Sequence, residues 1–164
     1  MPQFNTFYQT VAQLCFTLLG LWWLVLQTKY AEWIGNPGRR RMATNISLYF
    51  LLPGSMSLLA LLASQASALW HIAFVVASAI GVVETAFLLR GGARPTDKPR
   101  IALALRWAGI IFYALVLLVA VLPASTILTT LHLAPLTLAG ILLTLLIVLG
   151  VSLAWRFFIE PQAI

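Results

Sequence analysis

The chain has 164 residues, of which 62% are hydrophobic and only 9% are charged, and it carries a net charge of +6. Soluble domains carry about 25% charged residues, so this composition excludes a water-soluble globular fold and predicts an integral membrane protein. The ten Lys and Arg residues lie near the ends of apolar segments and form no continuous basic face, which excludes nucleic acid as a partner.

Five apolar segments are long enough to cross a hydrocarbon core of ~30 Å, which takes about 20 helical residues. They cover residues 7–26, 43–63, 69–89, 101–122 and 135–158. Backbone polar groups in lipid must be satisfied within their own segment, so each segment is expected to be a helix. The sequence therefore predicts an all-α fold, a polytopic membrane bundle of five transmembrane helices that form a single domain over 1–164.

The first segment carries a polar face. Its members recur every four residues and therefore share one side of a helix. They are Asn5, Gln9, Gln13 and Thr17. Such a face is typical either of a pore or solute vestibule or of hydrogen bonds between helices of one bundle. The segment has no basic region before it, so we expect it to remain in the mature protein and not to be a cleaved signal peptide.

The second segment contains Pro53 and Gly54 near its middle, which predict a kink. Three polar side chains open this segment beside the basic run 39–41. They are Thr44, Asn45 and Ser47. Together with the basic run they predict a contact with phosphate headgroups, since basic loops at membrane surfaces attract anionic lipid.

Glu84, in the third segment, is the only acid within a predicted span. It lies six residues before Arg90, about 9 Å from the helix end. Ionisable groups in a membrane are costly and normally face the bundle interior or a wet cavity, so Glu84 is predicted to be a proton or cation site or a gate. The alternatives are a carboxyl group that stays protonated, one that pairs with Arg106, and one that reaches the membrane surface.

The same segment carries a stripe of small residues. Ala73, Ala77, Gly81 and Thr85 recur every four positions, which predicts a surface that another helix approaches closely. Glu84 borders this stripe, so its side chain is expected to turn inward.

His71 and His132 are both expected near the outer membrane surface. Zinc and haem sites need histidines on facing helices with further hydrogen-bond partners around them, and no metal-binding motif accompanies these two. We therefore predict no metal and no cofactor, and keep His71 and His132 as the only residues that would serve a metal.

Basic residues concentrate in the stretches 27–42 and 90–100, whereas 64–68 and 123–134 contain no charged residue. Cytoplasmic loops collect Lys and Arg, so the N-terminus is predicted outside and the C-terminus in the cytoplasm. We expect the chain in the plasma (inner) membrane, with the lipid bilayer as a partner and anionic lipid at the basic loops.

The leading functional hypothesis is a small channel or transporter that passes ions, protons or a small solute, as a homo-oligomer. Gln9, Gln13 and Thr17 would line an outer vestibule, and Glu84 would act near the inner side. A second hypothesis is a non-catalytic subunit or partner of a larger membrane complex. A third is a membrane-embedded enzyme or a lipid- or pigment-binding protein. An enzyme is disfavoured because the spans contain no cluster of polar catalytic groups.

Overall fold

The computed structural model describes residues 2–28, 37–62, 67–90, 99–122 and 134–159. Its elements are five α-helices, α1 (Pro2–Thr28), α2 (Pro37–Leu61), α3 (Ser67–Arg90), α4 (Pro99–Val121) and α5 (Pro135–Ile159). Each contains a stretch long and apolar enough to cross a membrane, so the prediction of five such helices is confirmed. Most helices begin before the predicted spans, and α2 begins at Pro37 where the prediction began at 43, because helical hydrogen bonding continues past the apolar stretch and proline suits a first helical position. α2 and α4 end at Leu61 and Val121, before the predicted ends at 63 and 122.

Four helices form a ring and the fifth lies outside it. The pairs α2–α3, α3–α4, α4–α5 and α5–α2 are all in contact, whereas α1 packs mainly on α2 and only slightly on α5. In the apolar windows, 56% of the α2 residues and 50% of the α5 residues are buried, against 28% in each of the other helices. α2 and α5 are therefore central, and α1 is peripheral. We call α2 to α5 the four-helix ring.

Contacts at the two ends show that α1 and α5 run in the same direction. Near their starts, the Tyr8 hydroxyl donates a hydrogen bond of 2.6 Å to the Leu136 carbonyl. Near their ends, the Trp22 and Phe157 rings pack edge to face with centroids 5.8 Å apart. The Trp22 indole N–H also donates to the Ala43 carbonyl at 3.2 Å, so the end of α1 meets the start of α2.

The start of α3 likewise meets the end of α4, where His71 Nδ1 lies 2.9 Å from the Ala120 carbonyl oxygen. Successive helices thus alternate in direction. We call the end of the bundle where α2 begins with the run 39–41 and α5 finishes near Arg156 the basic end, and the opposite end the neutral end.

Two tyrosines occupy the centre of the four-helix ring. Tyr49 of α2 and Tyr113 of α4 are each 1% exposed, and their ring centroids lie 5.6 Å apart. A Cβ on Gly81 of α3 would lie 2.5 Å from the Tyr113 ring, and a Cβ on Gly109 of α4 would overlap the Tyr49 hydroxyl. Only glycine admits such an approach, so packed aromatic side chains fill the ring interior.

The predicted small-residue stripe faces this interior. Ala77, Gly81 and Thr85 are buried and Ala73 is half-buried. The Thr85 hydroxyl donates to the Gly81 carbonyl of its own helix at 2.7 Å, which satisfies its proton within α3.

Pro53 and Gly54 are both buried in α2, which continues through them as a helix. A Cβ on Gly54 would lie 3.0 Å from Cβ of Cys15 and 3.4 Å from the Phe16 ring. The pair therefore lies where α1 packs on α2, and a kink at this position stays a prediction.

Candidate functional site

The predicted polar face of α1 points away from the rest of the chain. Cys15 and Trp22, at 0% and 4% exposed, mark the face of α1 that packs on the bundle. Gln9, Gln13 and Thr17 are exposed on the opposite side. The structure thus brings these residues together as predicted from their spacing, but outside the single chain and not in its interior. We call Asn5, Gln9, Gln13 and Thr17 the α1 polar face.

The two glutamine amides have no hydrogen-bond partner in the described part of the chain. The Thr17 hydroxyl donates to the Gln13 carbonyl at 2.8 Å and is satisfied by its own helix. No such bond serves the side chains of Gln9 and Gln13 among the described residues. Each amide carries two donors and an acceptor, and burying one without partners in an apolar medium costs roughly 2–7 kcal/mol. Where lipid surrounds α1, these amides therefore need water, a lipid headgroup or a second polypeptide as a partner.

The same side of α1 changes character along its length. Past Thr17, the exposed residues are apolar, with Leu21 at 57% and Leu24 at 59% exposure. Gly20, directly before Leu21, has no atom within 4 Å of the position a Cβ would occupy. At the basic end, the exposed residues Gln27 and Thr28 are polar again. The outward side of α1 is thus polar, apolar and polar again.

Glu84 is exposed, which corrects the expectation that it turns into the bundle. The neighbouring stripe recurs every four residues, and an α-helix has about 3.6 residues per turn, so the stripe rotates by about 40° per step. By the time it reaches Thr85 it has turned away from Glu84. The carboxyl group therefore emerges at the edge of α3 that borders α2.

Glu84 lines a groove of about 660 Å³ at the basic end, which we call the basic-end groove. Its described lining comes from the start of α2 and the end of α3. It consists of Pro37, Gly38, Arg40, Arg41, Thr44, Glu84 and Phe87. Within the described residues, no ion pair within 4 Å joins Glu84 to Arg40, Arg41 or Arg106. The sequence indicates Glu84 and the basic run separately, and it carries no signal that they share one groove.

Of the three polar residues at the start of α2, only Thr44 lies in this groove. Asn45 is buried at 7% exposure. The Ser47 hydroxyl accepts the Trp22 indole N–H at 3.1 Å and donates to the Ala43 carbonyl at 3.2 Å. Asn45 and Ser47 are therefore part of the helix packing and do not line the predicted headgroup contact.

His71 has a structural partner. Its Nδ1 lies 2.9 Å from the Ala120 carbonyl oxygen, so this nitrogen carries the proton and donates it, and the ring stacks on Trp70 with centroids 3.7 Å apart. His132 lies outside the described residues. In the part of the chain that the structure describes, no three His, Cys, Asp or Glu side chains are placed to hold a metal ion.

Comparisons with protein-family models, with curated proteins and with solved structures find no match to this chain. The α1 polar face and the basic-end groove are the two candidate sites in the described part of the chain. The first offers uncharged amides and hydroxyls, and the second offers charges of both signs.

Proposed function

We propose that the chain is a small membrane channel or transport-type protein that passes ions, protons or a small solute between copies of itself. The observation that carries this proposal is the α1 polar face, which points away from the bundle on a helix outside the four-helix ring. Tyr49 and Tyr113 fill the ring interior. A path lined by Gln9, Gln13 and Thr17 therefore forms where the α1 helices of several copies face one another.

Symmetry makes this face complementary to itself. Copies inserted in the same orientation and related by an axis along the membrane normal place identical residues at identical depth. Gln13 of one copy then meets Gln13 of the next, and an amide both donates and accepts hydrogen bonds. Water and polar solutes between the copies would satisfy the same groups.

The apolar part of the outward side supplies a gate in this assembly. Leu24, seven residues after Thr17 and therefore on the same side of the helix, would narrow the path below the polar half, and apolar constrictions close pores by excluding water. Glu84 lies in the groove between α2 and α3, so this arrangement favours Gln9, Gln13 and Thr17 over Glu84 as the lining of the path.

Cysteine accessibility combined with flux measurements tests the proposal. Cys15 is the only native cysteine and is fully buried, so a cysteine introduced on the outward side of α1 is the reactive thiol. We expect Gln13→Cys in liposomes to react with a charged, water-soluble thiol reagent and to lose ion or solute flux when it does. Leu14→Cys is the matched control, because Leu14 lies at nearly the same depth but faces lipid, and we expect it to stay unmodified.

The opposite result has a definite meaning. If Gln13→Cys is as unreactive as Leu14→Cys and no flux appears across varied ions and pH values, the channel proposal is wrong. The unpartnered amides would then favour the second candidate, a non-catalytic subunit whose α1 polar face docks on another polypeptide. In that case Gln13→Leu should release a protein that otherwise co-purifies from native membranes.

A further inference from the structure

The basic-end groove is lined by charges of opposite sign that form no ion pair with one another among the described residues. Arg40 and Arg41 enter from the first turns of α2, and Glu84 enters from α3. All three side chains are exposed, and within the described residues no ion pair joins Glu84 to either arginine. A ligand that carries one negative and one positive group is complementary to this arrangement.

The hydrogen-bond donors and acceptors of the groove indicate which negative group and which positive group the ligand carries. Arginine N–H groups are donors only and match the oxygens of a phosphate. The Glu84 carboxylate is an acceptor, and the Thr44 hydroxyl donates its proton to the Arg40 carbonyl at 3.1 Å, which leaves its oxygen as an acceptor as well. Two acceptors near a phosphate site suit a primary ammonium group, which has three donors, better than a quaternary ammonium group, which has none.

The groove lies where the apolar window of α3 ends, which favours a lipid as the molecule that carries the phosphate and the ammonium group. The apolar window of α3 ends at Phe87, which lines the groove and is 51% exposed. Phe87 thus forms an apolar wall of the groove beside its charged residues. Its volume of about 660 Å³ lies within the range of about 300–1,000 Å³ that small-ligand sites occupy.

We propose that the basic-end groove binds the headgroup of a phosphoethanolamine lipid. The phosphate lies at Arg40 and Arg41, the ammonium group lies between Glu84 and Thr44, and the acyl chains leave past Phe87. This site is independent of the channel proposal, because its residues lie outside the α1 polar face. It is also more specific than the attraction of basic loops for anionic lipid, since Glu84 disfavours a headgroup that has no cation.

Lipid titration of the delipidated full chain, followed by native mass spectrometry, tests the site. We expect the wild-type chain to bind dioleoyl phosphatidylethanolamine more tightly than the phosphatidylcholine and phosphatidylglycerol of the same chains. Glu84→Gln should lower the ratio of phosphatidylethanolamine to phosphatidylglycerol affinity by about two- to fivefold, the size of one exposed charge contact. Arg41→Gln should weaken both lipids, because both carry a phosphate.

Arg106→Gln is the matched control, since it removes a positive charge from α4 outside the described lining of the groove. It should leave the lipid ratio unchanged, and equal melting temperatures of all variants would show that the fold is retained. A wild-type preference for phosphatidylglycerol, or a ratio that Glu84→Gln does not change, would overturn the proposal. Soluble glycerophosphoethanolamine should bind more weakly than the lipid, and equal binding would overturn the membrane lipid as the source.

Discussion

At the scale of single residues, two glycines determine how closely the helices of the ring approach. Gly81 lies against the Tyr113 ring and Gly109 against the Tyr49 hydroxyl. Lipid provides no hydrophobic force between helices, so close van der Waals packing provides much of their association. The sequence indicated Gly81 through its stripe of small residues. It gave no sign of Gly109, because the residues four positions away on either side are Leu105 and Tyr113.

Replacing Gly109 with alanine should destabilise the bundle. The added Cβ would occupy the position of the Tyr49 hydroxyl, and overpacking of this kind costs about 1–3 kcal/mol. We expect a lower midpoint of thermal unfolding in mild detergent. Gly20→Ala is the matched control, because nothing lies within 4 Å of its Cβ position and it should unfold at or slightly above the wild-type temperature. Equal melting of the two variants would contradict the close contact.

At the scale of helices, the sequence predicted which residues of α1 lie together but not which way they face. In a soluble protein, polar residues mark the outside of a helix. In a membrane the packed face and the lipid face are both apolar, so buried Cys15 and exposed Leu14 carry the same signal. The outward direction of Gln9 and Gln13 follows only from the contacts of the neighbouring face with α2.

The contact between α1 and α2 depends on the small volume of Gly54. We expect Gly54→Val to force α1 away from α2, because even a Cβ at this position lies 3.0 Å from Cβ of Cys15. The cost should be about 1–3 kcal/mol, and Cys15 should react faster with a small thiol reagent as α1 opens. Leu58→Val, on an exposed position of the same helix, should leave both the melting temperature and the reaction rate of Cys15 unchanged. Protection of Cys15 equal to the wild type in Gly54→Val would argue against this contact.

At the scale of the whole molecule, the five helices were predictable because length and hydropathy decide them locally. The basic-end groove was not, because it joins the start of α2 to the end of α3 across 40 or more positions of sequence. When two neighbouring helices run antiparallel, the start of one lies beside the end of the other. The sequence, however, does not say which helices are neighbours. Positive charge at the helix ends predicts the orientation of the bundle from the sequence alone. That Arg41 and Glu84 line the same groove follows only from how the helices pack.

The orientation of the bundle is open to a direct measurement. Cytoplasmic segments collect Lys and Arg, so we expect the basic end to face the cytoplasm. Gln3→Cys should then react with a membrane-impermeant thiol reagent in intact cells, and Gln162→Cys should react only after the cells are permeabilised. Buried Cys15 contributes little background. Labelling of Gln162→Cys but not Gln3→Cys in intact cells would reverse the predicted orientation.

The position of α1 outside the four-helix ring also affects the order in which the helices can pack during synthesis. α1 directly precedes its main partner α2 in the chain, so these two helices can pack before α3, α4 and α5 are made. The ring closes only when α5 reaches both α2 and α4. Until α5 is translated, the inner surface of α2 that carries Tyr49 lacks the contact that α5 makes with it. Completion of the core therefore waits for α5, although α2, its most buried helix, precedes α5 in the chain with two helices between them.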